Sequence, residues 1–216
     1  MRQIIWLFIL LLASLPGAVS SAAPVPDEVH FVAESAEDVI DLYNRGEWSQ
    51  AQQIVDSINS VSPRIETIMD SLGFPRSSAD VFGYLRFRLD RLTRYARRPV
   101  EAALAANQLT AFTIDVQSHF AHVVPMAVSW MDYYGREIVL LAPIDSSRIL
   151  LPKRLNELEQ SWKSIEDDVK QHNGSAVAQK VNDTISRLKQ ADSIEERLKY
   201  GNRILDLVDE IEMVYR

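Results

Sequence analysis

The chain has 216 residues, 47% of them hydrophobic, with a net charge of −7 and no cysteine. That length suffices for one domain with a sizeable core. The missing cysteine excludes disulfides, c-type haem attachment, iron–sulfur clusters and cysteine-ligated zinc. The acidic balance excludes a general nucleic-acid binder.

Arg2, the apolar run Ile4 to Leu12, the Leu15-Pro16-Gly17 break and the small residues from Ala18 to Ala23 have the order of a secretory signal peptide. Cleavage after Ser20 or Ala22 is expected. The chain then divides into 1–22 as signal peptide and 23–216 as a single helical-bundle domain. The apolar run is too short for a comfortable membrane span, so no transmembrane anchor is expected after cleavage. A periplasmic location fits best, a secreted one otherwise.

Beyond Asp27, apolar residues recur at three and four positions and alternation at two is nearly absent. Ser35 can cap a first helix, Ala36 to Asn44, ended by Arg45-Gly46. A second runs from Glu47 to Leu72, with a kink or break expected near Ser62 because Pro63 follows. Gly73-Phe74-Pro75 is a stop. Ser77 or Ser78 leads a third helix, Ala79 to Arg98. Pro99 kinks it or opens a helix to Ala106, and Asn107 to Val124 forms the next. Pro125 kinks that helix or starts Met126 to Leu141. Ala142 to Asp145 is a turn. A helix led by Ser146 or Ser147 continues, with a break expected at Pro152, to Gln171. Ser175 to Gln190 and Ser193 to Tyr215 complete an all-α, antiparallel, up-and-down bundle of about six to seven helices.

One internal echo stands out. Ala51-Gln52-Gln53-Ile54-Val55-Asp56-Ser57-Ile58 resembles Ala178-Gln179-Lys180-Val181-Asn182-Asp183-Thr184-Ile185, each after a polar helix end and a glycine turn. It reads either as a duplicated helical hairpin or as the small alphabet that helices share. Leu42-Tyr43-Asn44-Arg45-Gly46-Glu47, leading into Ala51-Gln52, resembles the loop before the last helix of small periplasmic four-helix-bundle haem-b cytochromes. That family holds haem through a Met near the start of the bundle and a His on the last helix. Neither the helix after the matching loop nor Ser193 to Arg216 contains a His. The resemblance therefore implies shared architecture and no haem.

Two constellations could carry function. Between Arg86 and Arg98 lie six arginines and one acid, Asp90. On a helix, Phe82, Leu85, Leu89, Leu92 and Ala96 form an apolar face. Arg88, Arg91, Arg94 and Arg98 lie opposite, with Tyr84, Phe87 and Tyr95 among them. Planar guanidinium groups and stacked rings suit an acidic protein or a lipid phosphate. The competing expectation is internal pairing with acidic helix faces such as Glu157, Glu159, Glu166, Asp206 and Glu210. The second constellation is Asp115, His119, His122 and Met126, which share a face if Asn107 to Val124 is one helix continuing past Pro125. Two imidazoles, a carboxylate and a thioether could hold Cu or Zn. The core stripe of that helix would be Leu109, Phe112, Val116, Phe120, Val123, Ala127, Trp130 and Tyr134. Aromatics from Trp130 to Tyr134 could also line an apolar pocket.

No phosphate loop, nucleophile elbow or zinc-protease motif occurs in the chain. The expectation is an exported, non-enzymatic helical bundle without a cofactor, binding an acidic partner or anionic surface. The alternative is a metal-binding bundle using the histidine stripe.

Overall fold

The structure is a computed structural model and describes residues 23–144 and 150–216. The expected signal peptide lies outside the described residues, as do Ser146 and Ser147. Eight α-helices occur among the described residues: α1 Asp27–Arg45, α2 Trp48–Ser71, α3 Arg76–Arg91, α4 Pro99–Gln117, α5 Met126–Leu141, α6 Leu150–Gln171, α7 Ser175–Gln190 and α8 Ile194–Val214. A π-helical turn, Leu92–Ala96, extends α3. None of these helices is long and apolar enough to cross a membrane.

The helices form two rings of four. In the first, α1 packs on α2 and α4, and α3 closes the ring between them. In the second, α5 packs on α6 and α8, with α7 opposite. Short connections make neighbours antiparallel. Gly46 turns α1 into α2 at φ 73°, where its N–H reaches the carbonyls of Leu42 and Tyr43. A residue with a Cβ would be strained there.

Each ring has its own core. Val32, Tyr43, Ile58, Phe82, Leu89 and Leu109 lie in the first. Met131, Ile138, Leu158, Trp162, Val181 and Ile204 lie in the second. Leu104 packs against both, and α4 packs on α5. Asn107 crosses this junction by donating to the Tyr133 carbonyl at 3.2 Å. Arg136 of α5 reaches Glu37 of α1 at 3.2 Å. In the second ring α5 and α8 approach closely through Gly201. A Cβ there would lie 2.7 Å from a methyl of Val139.

The local signals were accurate for α5, α7 and the start of α8. Ser193 accepts from the Glu196 N–H, and the Glu196 carboxylate returns a bond, forming a capping box. Elsewhere packing overrode them. Ser35 does not cap α1. It is buried in mid-helix, and α1 starts after Pro26. The expected break at Pro63 is absent. Pro63 sits on the solvent side of α2, where the carbonyl left unbonded can meet water. Pro152 likewise lies inside α6, within its first turn, where the missing N–H has no helical partner to lose. Asn107 does not start a helix. It is buried within α4, and Pro99 opens that helix at its first position.

The echoed segments lie on α2 and α7, each diagonal in its ring from the helix at the junction. Both repeat one bond. Gln52 donates to Asp56 and Gln179 to Asp183, each at 2.9 Å.

Candidate functional site

The arginine segment is sorted by its neighbours into four rows. Phe82, Leu85 and Leu89 enter the core. Toward α2, Arg86 meets Glu66 at 3.3 Å and Asn59 at 3.2 Å. Further along that row, Arg94 meets Asp56 at 2.9 Å and Asp90 at 3.1 Å. Toward α4, Arg88 donates to Gln108 at 2.8 Å. The hydrogen bond and charge of Asp90 hold the Arg94 guanidinium even more firmly protonated than usual. Burial pulls Arg86 the other way, against Glu66.

The outward row remains. Tyr84, Phe87 and Tyr95 are 62%, 63% and 67% exposed. Arg91 lies 5.1 Å from the Tyr95 ring centroid and 6.0 Å from that of Phe87. It makes no ion pair among the described residues. Arg98, also exposed, meets Glu101 at 3.6 Å in a loose pair. The expected stripe of Arg88, Arg91, Arg94 and Arg98 is therefore divided. Arg88 and Arg94 are tied to neighbouring helices, while Arg91 stays on the open face with Tyr84 and Tyr95.

The π turn explains where the apolar face departs from expectation. One extra residue per turn rotates the register. Thr93 takes the buried position, while Leu92 is half-buried and Ala96 is exposed. The Thr93 hydroxyl donates to the Leu89 carbonyl at 2.8 Å and accepts from Tyr43. The turn ends at Arg97 with φ 47°, a left-handed conformation costly for a residue with a Cβ.

Beside this turn, at the start of α2, is a cavity of about 280 Å³. Trp48, Ser49, Gln52, Thr93, Arg94 and Arg97 line it. The Gln52 amide nitrogen bonds to both Asp56 and Asp90, at 2.9 and 3.0 Å. The Arg97 guanidinium has no partner among the described residues. Neither Trp48 nor Arg97 stands out in the sequence as a site residue. Only the π turn brings these two residues to one cavity.

The histidine stripe is not assembled. α4 stops at Gln117, so His119 and His122 lie in the irregular segment 118–125 and not on a helix with Asp115 and Met126. His119 stacks on Phe74 at 4.8 Å, and His122 Nε2 lies 2.7 Å from the Gln117 carbonyl oxygen. Desolvation raises the Asp115 carboxyl and His119 opposes it. No group of three or more His, Asp or Glu side chains among the described residues is placed to hold a metal. Val123, expected in the core stripe, is 79% exposed because the helix has already ended. Trp130 stacks on Tyr134, Tyr133 meets both rings edge-on, and Arg154 lies 5.9 Å from both tyrosine rings. They pack as a cluster around the ion pair of Arg154 with Glu137, at 2.8 Å.

A cavity of about 700 Å³ lies where the two rings meet. Glu34, Glu37, Asp132, Arg136, Asp209 and Glu212 are on its wall. Arg136 bridges Glu37 at 3.2 Å and Asp132 at 2.7 Å. Burial still raises the Glu37 carboxyl to about 6, with Arg136 opposing and Asp132 adding to the rise.

No protein-family model, curated protein or solved structure matches this chain.

Proposed function

We propose that this is an exported, non-enzymatic helical-bundle protein that binds an acidic protein partner through the outward face of α3. One observation carries the reading. Three aromatic rings stand more than half exposed along α3 and its π turn, two of them against an arginine that no acid neutralises among the described residues. Exposed rings cost free energy in water, and aromatic and arginine side chains are the types enriched at protein interfaces. Salt links to α2 and the Arg88–Gln108 hydrogen bond to α4 hold α3 in place and leave its outer row unengaged. The signal-like N-terminal order supports export. The acidity of the whole chain disfavours an anionic membrane, because an extended charged plane meets the whole protein, whereas a partner meets only the local patch.

The test is the double variant Phe87→Ser with Arg91→Glu, compared with wild type by co-purification from the exported fraction of its source. Any captured protein is then purified and its affinity measured against salt. The expected result is loss of one specific partner with an unchanged melting temperature. Retention of every partner by the double variant refutes the reading.

A further inference from the structure

We infer that the cavity between the start of α2 and the π turn is a carboxylate-binding pocket that takes an Asp or Glu side chain of the partner. The inference rests on the reading that the outer face of α3 meets a protein.

The wall chemistry is selective. Arg97 contributes a guanidinium without an acidic partner among the described residues and Arg94 a second one, with Trp48 and Ser49 also on the wall. A planar guanidinium fork matches a carboxylate in two-point contact. The first turn of α2 contains no acid, and its N-cap, Glu47, turns its carboxylate to Arg45 at 2.9 Å, so the positive end of the helix adds to the same field. At about 280 Å³ the cavity is the size for one side-chain group, smaller than most sites for drug-sized ligands.

The backbone is arranged for this presentation. Arg97 holds a left-handed φ of 47°, at the end of a π turn, a feature often found at functional sites. That conformation places Arg97 beside Trp48 instead of one turn further along a continuing helix. Asp56 and Asp90 already occupy Arg94. They act as resident competitors, so an incoming carboxylate meets Arg97 first and gains from any weakening of Asp56. A protein segment is favoured over free phosphate because exposed Tyr95 follows the wall residue Arg94 directly in the chain and stacks with Arg91, giving the rest of a peptide a surface to lie on.

The experiment titrates the purified exported chain with a hexaglutamate peptide, inorganic phosphate and phosphatidylserine vesicles. It follows the Trp48 indole N–H resonance by NMR and reads affinity by fluorescence anisotropy. The peptide is expected to shift the Trp48 resonance, with affinity falling steeply with salt. Arg97→Gln should weaken it about tenfold, the loss of one charge-assisted pair. Asp56→Asn, which removes the competitor, should tighten it. An unmoved Trp48 resonance, or an affinity indifferent to Arg97→Gln, overturns the inference. So does phosphate binding as tightly as the peptide, or binding to vesicles alone. Phe87→Ser lies outside the cavity and separates the two claims. If it abolishes partner capture while Arg97→Gln changes neither capture nor peptide affinity, the pocket fails and the α3 face stands. If the peptide binds as described but Phe87→Ser keeps the partner, the α3 face fails and the pocket stands.

Discussion

The two rings share an architecture and differ in how fully they pair their surface charge. In the second ring most cations are matched. Glu159 takes both Lys163 and Lys189, Glu210 takes Lys180 and Arg203, Glu166 takes Lys170, and Arg154 joins Glu137 to Glu157. In the first ring every cation is an arginine, because no lysine occurs before Lys153. There Arg76, Arg88, Arg91 and Arg97 make no ion pair among the described residues, and the Phe87 and Tyr95 rings lie open beside Arg91. Left-handed turns show the same division. The second ring leaves α6 through Asn173 at φ 66°, a residue type that tolerates the conformation. The first leaves its π turn through Arg97 at φ 47°. The second ring pairs most of its cations with internal acids, though Arg187, Arg197 and Lys199 make no ion pair among the described residues; the first leaves a larger share of its arginines without one. Residues that satisfy nothing inside the fold are the ones available to something outside it.

The largest expected effects test whether the rings stand or fall together. Phe82→Ala in the first core and Trp162→Ala in the second should each cost about 3–5 kcal/mol. Trp162 also loses its 2.8 Å bond to Asn182. Because Leu104 joins both cores, calorimetry should show one melting transition lowered by either change. Two transitions, with only one moving, would make the rings independent.

Next in size is the close approach of α5 and α8. Gly201→Ala should cost about 1–3 kcal/mol through overpacking against Val139, and Val139→Ala should restore part of that loss. Chemical denaturation of the single and double variants measures it.

The turn comparison predicts a gain. Arg97→Gly should stabilise the protein by about 1 kcal/mol by removing the left-handed strain, while weakening carboxylate binding. Asn173→Gly should change stability by a few tenths of that. Equal effects at both turns would mean that the first ring holds no special strain.

The smallest effect concerns the junction. The Glu37 carboxyl is raised from 4.5 to about 6, so the folded state binds the proton more tightly than the unfolded chain. Its contribution is therefore fully present below pH 4.5 and is lost as pH rises through 6. Glu159, Glu166 and Glu210 are lowered by their lysine partners and act in the opposite sense, losing their contribution as pH falls. Glu37→Gln should flatten the fall in melting temperature between pH 4.5 and 6, and the second-ring acids should dominate below that window. An unchanged slope in Glu37→Gln would show that Arg136 already compensates the buried charge.

What the sequence by itself determined are the features set within a few residues: helical periodicity, the capping pair Ser193 and Glu196, and the limits of Met126–Leu141 and Ser175–Gln190. Those depend on backbone propensity and nearby hydrogen bonds, which travel with the local segment. The concentration of arginine and aromatic residues around α3 was legible for the same reason. Which arginines stay open was not, since Asp56 and Gln108 lie 38 and 20 residues from the arginines they hold. Only tertiary packing set the π turn, because burying Thr93 under Tyr43 has no signal in the spacing of Leu92 and Ala96. It also ended α4 at Gln117 and so dispersed the histidine stripe, where Phe74 and a backbone carbonyl supply competing contacts. A helical register can be read along one segment, but the contacts that bend or end it come from helices that the segment does not contain.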